Sequence, residues 1–223
     1  MLLDFRRLVM SVLIALAAVG FGGALFADPP AMTTPTPTTE TIVLIRHGEK
    51  PPGGLGQLTP KGLNRALALP GILIGKYGKP NYIFAPNPSV KVDGGQYSYV
   101  RPITTIEPTA ISLGMPVNTQ IGYNDIVQLQ AELTKPLYAS SVLFVAWEHG
   151  YEDDFAKQMV KSYGGDPSIV PPWPDSDYDT IFVIRLTRVG TSTTETFTID
   201  HEGLNGKLSN TLASPATSVP LDH

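Results

Sequence analysis

Apolar positions along this chain fall into short unbroken runs that alternate with longer stretches of helical period. Thr41-Ile42-Val43-Leu44-Ile45 is a β-branched run of the kind that makes a strand buried on both faces. Thr59 and Pro60 follow as an N-cap and a first-turn proline, and Leu63, Ala66, Leu67 and Leu69 then recur at helical spacing. Tyr82 to Ala85 predicts a second strand. Arg101 to Leu113 predicts a helix that Gly114 ends, with Met115-Pro116-Val117 extended after it. Ile126 to Leu133 predicts a further helix. The run from Ser141 to Trp147 is the strongest strand signal, and Tyr151 to Tyr163 is helical up to Gly164-Gly165. Asp179 to Leu186 and the Thr-rich Thr194 to Ile199 predict a closing β pair. Strands alternating with helices of this size predict an α/β fold, a three-layer sandwich around a mainly parallel central sheet.

Both ends of the chain depart from that pattern. Arg6 and Arg7 precede an apolar stretch from Leu8 to Ala27, and Ala-Leu-Phe-Ala stands before Asp28-Pro29-Pro30. This predicts a signal peptide over 1–27, or an uncleaved membrane anchor, since the stretch is about the length that spans a bilayer. Either reading places the domain outside the cytoplasm, periplasmic or secreted, with membrane contact only through that segment. A Pro/Thr-rich linker is expected over 28–40, a folded domain over 41–202 and a polar tail over 203–223.

Composition narrows the chemistry. The 223 residues are 42% hydrophobic and 16% charged with a formal net charge of −4, which suits one globular domain and gives no basic footprint for nucleic acid. There is no cysteine, so thiol nucleophiles, zinc-thiolate sites and disulfides are excluded. His, Arg, Asp, Glu, Ser, Thr, Tyr and Lys remain to carry any reaction.

In open α/β sheets ligands gather outside the carboxyl ends of the strands. Two of the four histidines stand there, each followed by glycine: the first strand runs into Arg46-His47-Gly48-Glu49, and the strongest strand into Glu148-His149-Gly150. A neutral imidazole can attack phosphorus to form a phosphoramidate that water later hydrolyses. Such an attack needs cations around the phosphoryl oxygens, and Arg46 and Arg101 offer the bidentate, permanently charged fork that suits them. His149, if protonated, adds a charged donor.

The segment Arg46-His47-Gly48-Glu49-Lys50 resembles the signature of the histidine phosphatase superfamily, the group that includes cofactor-dependent phosphoglycerate mutase and many acid phosphatases. Leu58-Thr59-Pro60-Lys61-Gly62 with Ala66 is similar to the family's first-helix segment, and Arg101-Pro102-Ile103-Thr104-Thr105 to its second-arginine segment. Leu113 to Val117 is similar to the continuation of that segment, and Val142 to Gly150, with the second histidine, completes four ordered segments over about Thr41 to Leu186. The resemblance implies a phosphoglycerate mutase-like fold and a phosphomonoesterase. His47 would be the phosphorylated nucleophile, and Arg46, Arg101 and His149 would form the phosphate pocket, without metal or cofactor. The Arg-His-Gly-Glu-Lys-Pro and Trp-Glu-His forms resemble a less characterised branch of exported or phosphatase-like members, including relatives of lipopolysaccharide-core phosphatases. The expected partner is a small phosphorylated substrate or a phosphorylated envelope component.

The chain also departs from the family pattern. Tyr97 stands where a serine is usual, with Ser98 one place on, and the loop from Pro86 to Val100 is long. The proton donor to the leaving oxygen is not fixed by the motif. Asp125 and Glu148 are equal candidates and Glu49 a third, against ordinary roles as solvated or pairing carboxylates. Lys50 is read as a surface lysine unless it reaches phosphate, and Trp147 and Trp173 as packing residues. Asp175, Asp177 and Asp179 lack the glycine and terminal glutamate of a calcium loop and are read as turn residues. His201 and His223 lie outside the motifs. Two rivals remain open: a non-catalytic binder of phosphate or phospho-sugars, and a phosphoglycerate mutase-type phosphotransferase.

Overall fold

The computed structural model describes residues 35–92 and 95–212, so the expected leader and most of the linker lie outside the described residues. Five strands form the central sheet: β1 (Thr38–Arg46), β2 (Tyr82–Phe84), β5 (Val142–Trp147), β6 (Thr180–Val189) and β7 (Ser192–His201), in the order β2-β5-β1-β6-β7. β1 pairs parallel with β5 and β5 with β2, while β6 runs antiparallel to both β1 and β7. Four of the five strands therefore point the same way, as the alternating pattern predicts. β3 (Lys91–Val92) and β4 (Tyr97–Ser98) make a small separate hairpin.

Alternate residues of β1 divide the core between two helical layers, as the period of a strand requires. Val43 and Ile45 pack with Leu69 and Leu73 of α1 (Pro60–Tyr77) and Ile106 of α2 (Arg101–Leu113). Ile42 and Leu44 pack with Leu129 of α3 (Ile126–Leu133) and with Phe155 and Met159 of α4 (His149–Ser162). The result is a three-layer α/β sandwich. Among the described residues no helix is long and apolar enough to cross a membrane.

Helix limits follow from their punctuation. Thr59 accepts the Gly62 N–H with Pro60 behind it, Gly114 closes α2 in the left-handed region at φ 62°, and Asp125 caps α3 by accepting the Gln128 N–H. Two limits differ from those expected. β1 opens at Thr38, inside the stretch read as linker, because the ten-residue β6 supplies partners back to Arg188 opposite Thr38. Glu40 is buried there and bonds Arg188 at 2.7 Å. α4 begins at His149, two residues early, because Glu148 rather than a later residue is its cap. In the polar tail, the N–H groups of Gly203, Leu204 and Asn205 all donate to the Asp179 carboxylate.

Two close contacts position the loop after β1. A Cβ on Gly48 would lie 2.8 Å from the Gly62 carbonyl oxygen, and one on Gly62 would lie 2.5 Å from that of Glu49, so backbone crosses backbone there. Arg65, fully buried on α1, grips Glu49 bidentately at 3.0 and 2.9 Å. It also bonds Glu202 and stands 3.7 Å from Asp179. Arg65 thereby ties the loop after β1 to the end of β7. Removing its charge leaves buried Glu202 without its cation and Glu49 with Lys61 alone at 3.5 Å, so Arg65→Ala should lower stability by about 3–5 kcal/mol. Urea unfolding of both proteins measures it, and a loss within experimental error would show the network to be dispensable.

Candidate active site

β1 and β5 end in register, Arg46 opposite Trp147, and the His47 N–H donates to the Trp147 carbonyl at 3.0 Å. That pairing carries Arg46-His47-Gly48 and Glu148-His149 to the same edge of the sheet. The Gly48 N–H donates to Thr105 Oγ1 at 2.9 Å, and Thr105 donates in turn to the Arg101 carbonyl at 2.8 Å. The first turn of α2, with Arg101, is thus joined to the His47 loop. Arg46, His47, Arg101 and His149 are all buried.

His47 carries the most specific arrangement. Its Nδ1 lies 2.7 Å from the Gly48 carbonyl oxygen, which can only accept, so Nδ1 holds the proton and Nε2 keeps its lone pair. Nε2 is buried without a partner among the described residues. Burial lowers the imidazole pKa to about 3; the Gly48 bond opposes this and the charges of Arg101 and Arg46 add to it. The ring stands edge-on to Tyr99, centroids 6.1 Å apart, and tilted 6.3 Å from Tyr178. His47 is therefore held neutral, oriented and beside two guanidiniums.

The cations are fixed by backbone and aromatic rings. Arg46 Nη1 donates to the carbonyls of Pro174, Asp175 and Asp177 at 3.3, 2.7 and 2.6 Å, and its guanidinium lies 3.9 Å from the Tyr178 ring centroid. Its Nε and Nη2 are buried without partners among the described residues. Arg101 Nη1 donates to the Gly54 carbonyl at 3.0 Å, and its guanidinium lies 4.7 Å from the Tyr99 ring. Beside Tyr178 opens a cleft of about 510 Å³ lined by Lys50, Pro51, Pro52, Gly53 and Gly54. Buried donors without partners next to a neutral imidazole fit a tetrahedral dianion.

The acidic residues expected at the site are arranged differently from one another. Glu148 caps α4 by accepting the Gly150 and Tyr151 N–H groups at 3.0 and 3.2 Å. Burial pushes its carboxyl up, but His149 and the cap bonds outweigh that and leave it at about 2. Asp125 is engaged at the start of α3 and makes no hydrogen bond or ion pair with Arg46, His47 or His149. Glu49 is held below the usual carboxylate range because Arg65 offsets its burial. Both nitrogens of His149 face carboxylates at 2.6 Å: Nε2 bonds Asp175 Oδ1, and Nδ1 pairs with Glu148 Oε1.

Some site residues escape sequence reasoning. Asp175 stands in a turn, as read, and its side chain also reaches His149, while Asp177 accepts the Asp179 N–H and Asp179 accepts the Gly203 N–H. Tyr178 and Tyr99 flank the site, whereas Tyr97, at the usual serine position, is exposed on β4. Trp147 and Trp173 are packing residues as expected, and Lys50 lines the cleft. The one signal available was the length of irregular chain between α4 and β6, since long loops in compact domains are usually functional.

No family model and no curated protein matches the sequence. Solved structures do resemble it. A provisionally assigned phosphohistidine phosphatase SixA from Nakamurella multipartitia is 18% identical, with 75% of this chain covered against 98% of that one, at a TM-score of 0.47. A mycobacterial glucosyl-3-phosphoglycerate phosphatase is 14% identical over 78% of this chain and 100% of its own, at 0.46. The phosphoserine phosphatase of Entamoeba histolytica, solved with phosphoserine, is 13% identical over 69% and 95%, at 0.41.

The depressed pKa of His47 has a consequence for stability. Between its ordinary value of 6.5 and about 3, the unfolded chain binds a proton on this residue that the folded chain does not. Its contribution is therefore full above pH 6.5 and is lost as pH falls toward 3. Urea midpoints measured across that range should fall more steeply for wild type than for His47→Gln. Parallel curves would show that His47 titrates alike in both states.

Proposed function

We propose that this protein is a phosphomonoesterase that works through a phosphohistidine on His47, without a metal or cofactor. The observation that carries the reading is His47 Nε2, unprotonated and buried between two arginines, with Nδ1–H anchored to a carbonyl. Nε2 attacks the phosphorus of a bound ester, and Arg46 and Arg101 hold the equatorial oxygens, on which the charge of the transition state is spread. As the N–P bond forms, Nδ1–H stays on the Gly48 oxygen and disperses the positive charge that appears on the ring. His149, with a carboxylate facing each nitrogen, supplies positive charge at the pocket wall. Water then attacks the phosphohistidine and frees His47. The basic and apolar leader places this reaction outside the cytoplasm in the same proposal, on the sequence of residues 1–27 alone.

Hydrolysis of p-nitrophenyl phosphate in excess chelator tests the reading. Wild type should turn over, His47→Ala should fall at least about 10³-fold, and Arg46→Ala should fall about 10²–10³-fold. A short pulse of ³²P-labelled ester should leave acid-labile, base-stable label on wild type and none on His47→Ala. Phosphate binding by a folded wild type without turnover on aryl or alkyl esters would favour the non-catalytic binder. Transfer of label to a second hydroxyl rather than to water would favour the phosphotransferase.

A further inference from the structure

The reaction needs a proton for the leaving oxygen, and in-line displacement fixes where that proton must come from. His47 is buried, so the leaving oxygen departs on the side of phosphorus opposite Nε2, toward the solvent side of the site. A donor must stand on that side, have an oxygen not already committed, and be able to recover its proton from water.

The neighbouring carboxyls fail one of these conditions each. Glu49 is clamped by Arg65 at both oxygens. Glu148 is committed to the α4 cap and to His149. Glu152, one turn further along α4, is wholly buried, so water cannot return a proton to it. Asp125 keeps one oxygen free at the start of α3 but makes no hydrogen bond or ion pair with Arg46, His47 or His149, and Asp177 holds Thr180 Oγ1 at 2.5 Å and the Asp179 N–H at 2.8 Å.

Asp175 is joined to the site through His149 and Arg46 and meets the other two conditions. Its side chain is 92% exposed and makes one bond, Oδ1 to His149 Nε2 at 2.6 Å. The backbone beneath it is rigid, because the carbonyls of Pro174, Asp175 and Asp177 all hold Arg46 Nη1. Trp173 on one side is buried against Phe182, ring centroids 4.4 Å apart, and Tyr178 on the other lies on the Arg46 guanidinium. An exposed carboxyl on a fixed strap, oriented through one oxygen, leaves the other directed by that bond rather than by chance.

We propose that Asp175 is the general acid and base of this reaction, its carboxyl oriented by the His149 Nε2–H. The proposal rests on the phosphohistidine reading. In the first half-reaction the N–P bond to His47 forms as the ester P–O bond breaks, and Asp175 Oδ2–H passes its proton to the leaving oxygen, releasing the alcohol. In the second, the oxygen of water bonds phosphorus as the N–P bond breaks. Asp175 Oδ2 takes one proton from that water, which restores the acid and releases phosphate. His149 Nε2–H remains on Oδ1 throughout.

A leaving-group series on Asp175→Asn separates this role from a structural one. An alkyl alkoxide needs protonation as it departs and p-nitrophenolate hardly does. In the full chain, kcat/KM for an alkyl phosphate should therefore fall about 100-fold or more, while kcat/KM for p-nitrophenyl phosphate falls less than about tenfold. The variant should also show a burst of p-nitrophenol and accumulate phosphohistidine, because water attack has lost its base. Asp175→Glu should recover part of the alkyl activity. Equal losses on the two esters, or no loss on either, would overturn the assignment while leaving the His47 mechanism standing. A wild type that forms no phosphoenzyme would instead overturn the phosphohistidine reading and this assignment with it.

Discussion

The hydrogen bond from His47 Nδ1 to the Gly48 carbonyl governs the chemistry available to this fold. It costs the protein little, since donor and acceptor are adjacent residues, yet it fixes the tautomer and directs the lone pair of Nε2 away from the backbone. Burial between Arg46 and Arg101 then keeps the ring uncharged. A solvated histidine would be partly protonated near neutral pH and free to rotate. Neither the bond nor the burial alone makes a nucleophile; together they do.

Much of the remaining architecture serves that one residue. The in-register ends of β1 and β5 bring the two histidine segments to one edge, and the Gly48–Gly62 crossing leaves the loop no room to move toward α1. Arg65 converts that crossing into a charged anchor by gathering Glu49, Glu202 and Asp179, residues from distant parts of the chain. On the opposite side the strap from Trp173 to Tyr178 spends its carbonyls on Arg46 rather than on secondary structure. The guanidinium is thus oriented before any substrate arrives, so its reorganisation is already done at the moment of reaction.

The sequence made the framework readable where punctuation and period agree. α2 and α3 run between the expected residues because Pro102, Gly114 and Asp125 mark their ends, and β5 stands out as an unbroken apolar run. Arg46, His47, Arg101 and His149 could be named because each follows or opens such an element. The start of β1 was not readable, since its partner β6 decides it. Arg65 and Glu152 are buried charges on helices, and a charged residue in a helical pattern reads as a solvated one. The strap around Asp175 has no period at all, and its role depends on His149, 26 residues away in the chain.

The account stands on His47 being a neutral, Nδ1-protonated imidazole in the folded protein. Heteronuclear NMR of the ¹⁵N-labelled imidazole, followed from pH 7 downward with His47→Gln to assign the signal, measures that directly. The account predicts an Nδ1–H tautomer with an unprotonated Nε2 that does not titrate until pH falls toward about 3 or the protein unfolds. A ring that titrates near its ordinary 6.5, or that carries its proton on Nε2, would contradict it.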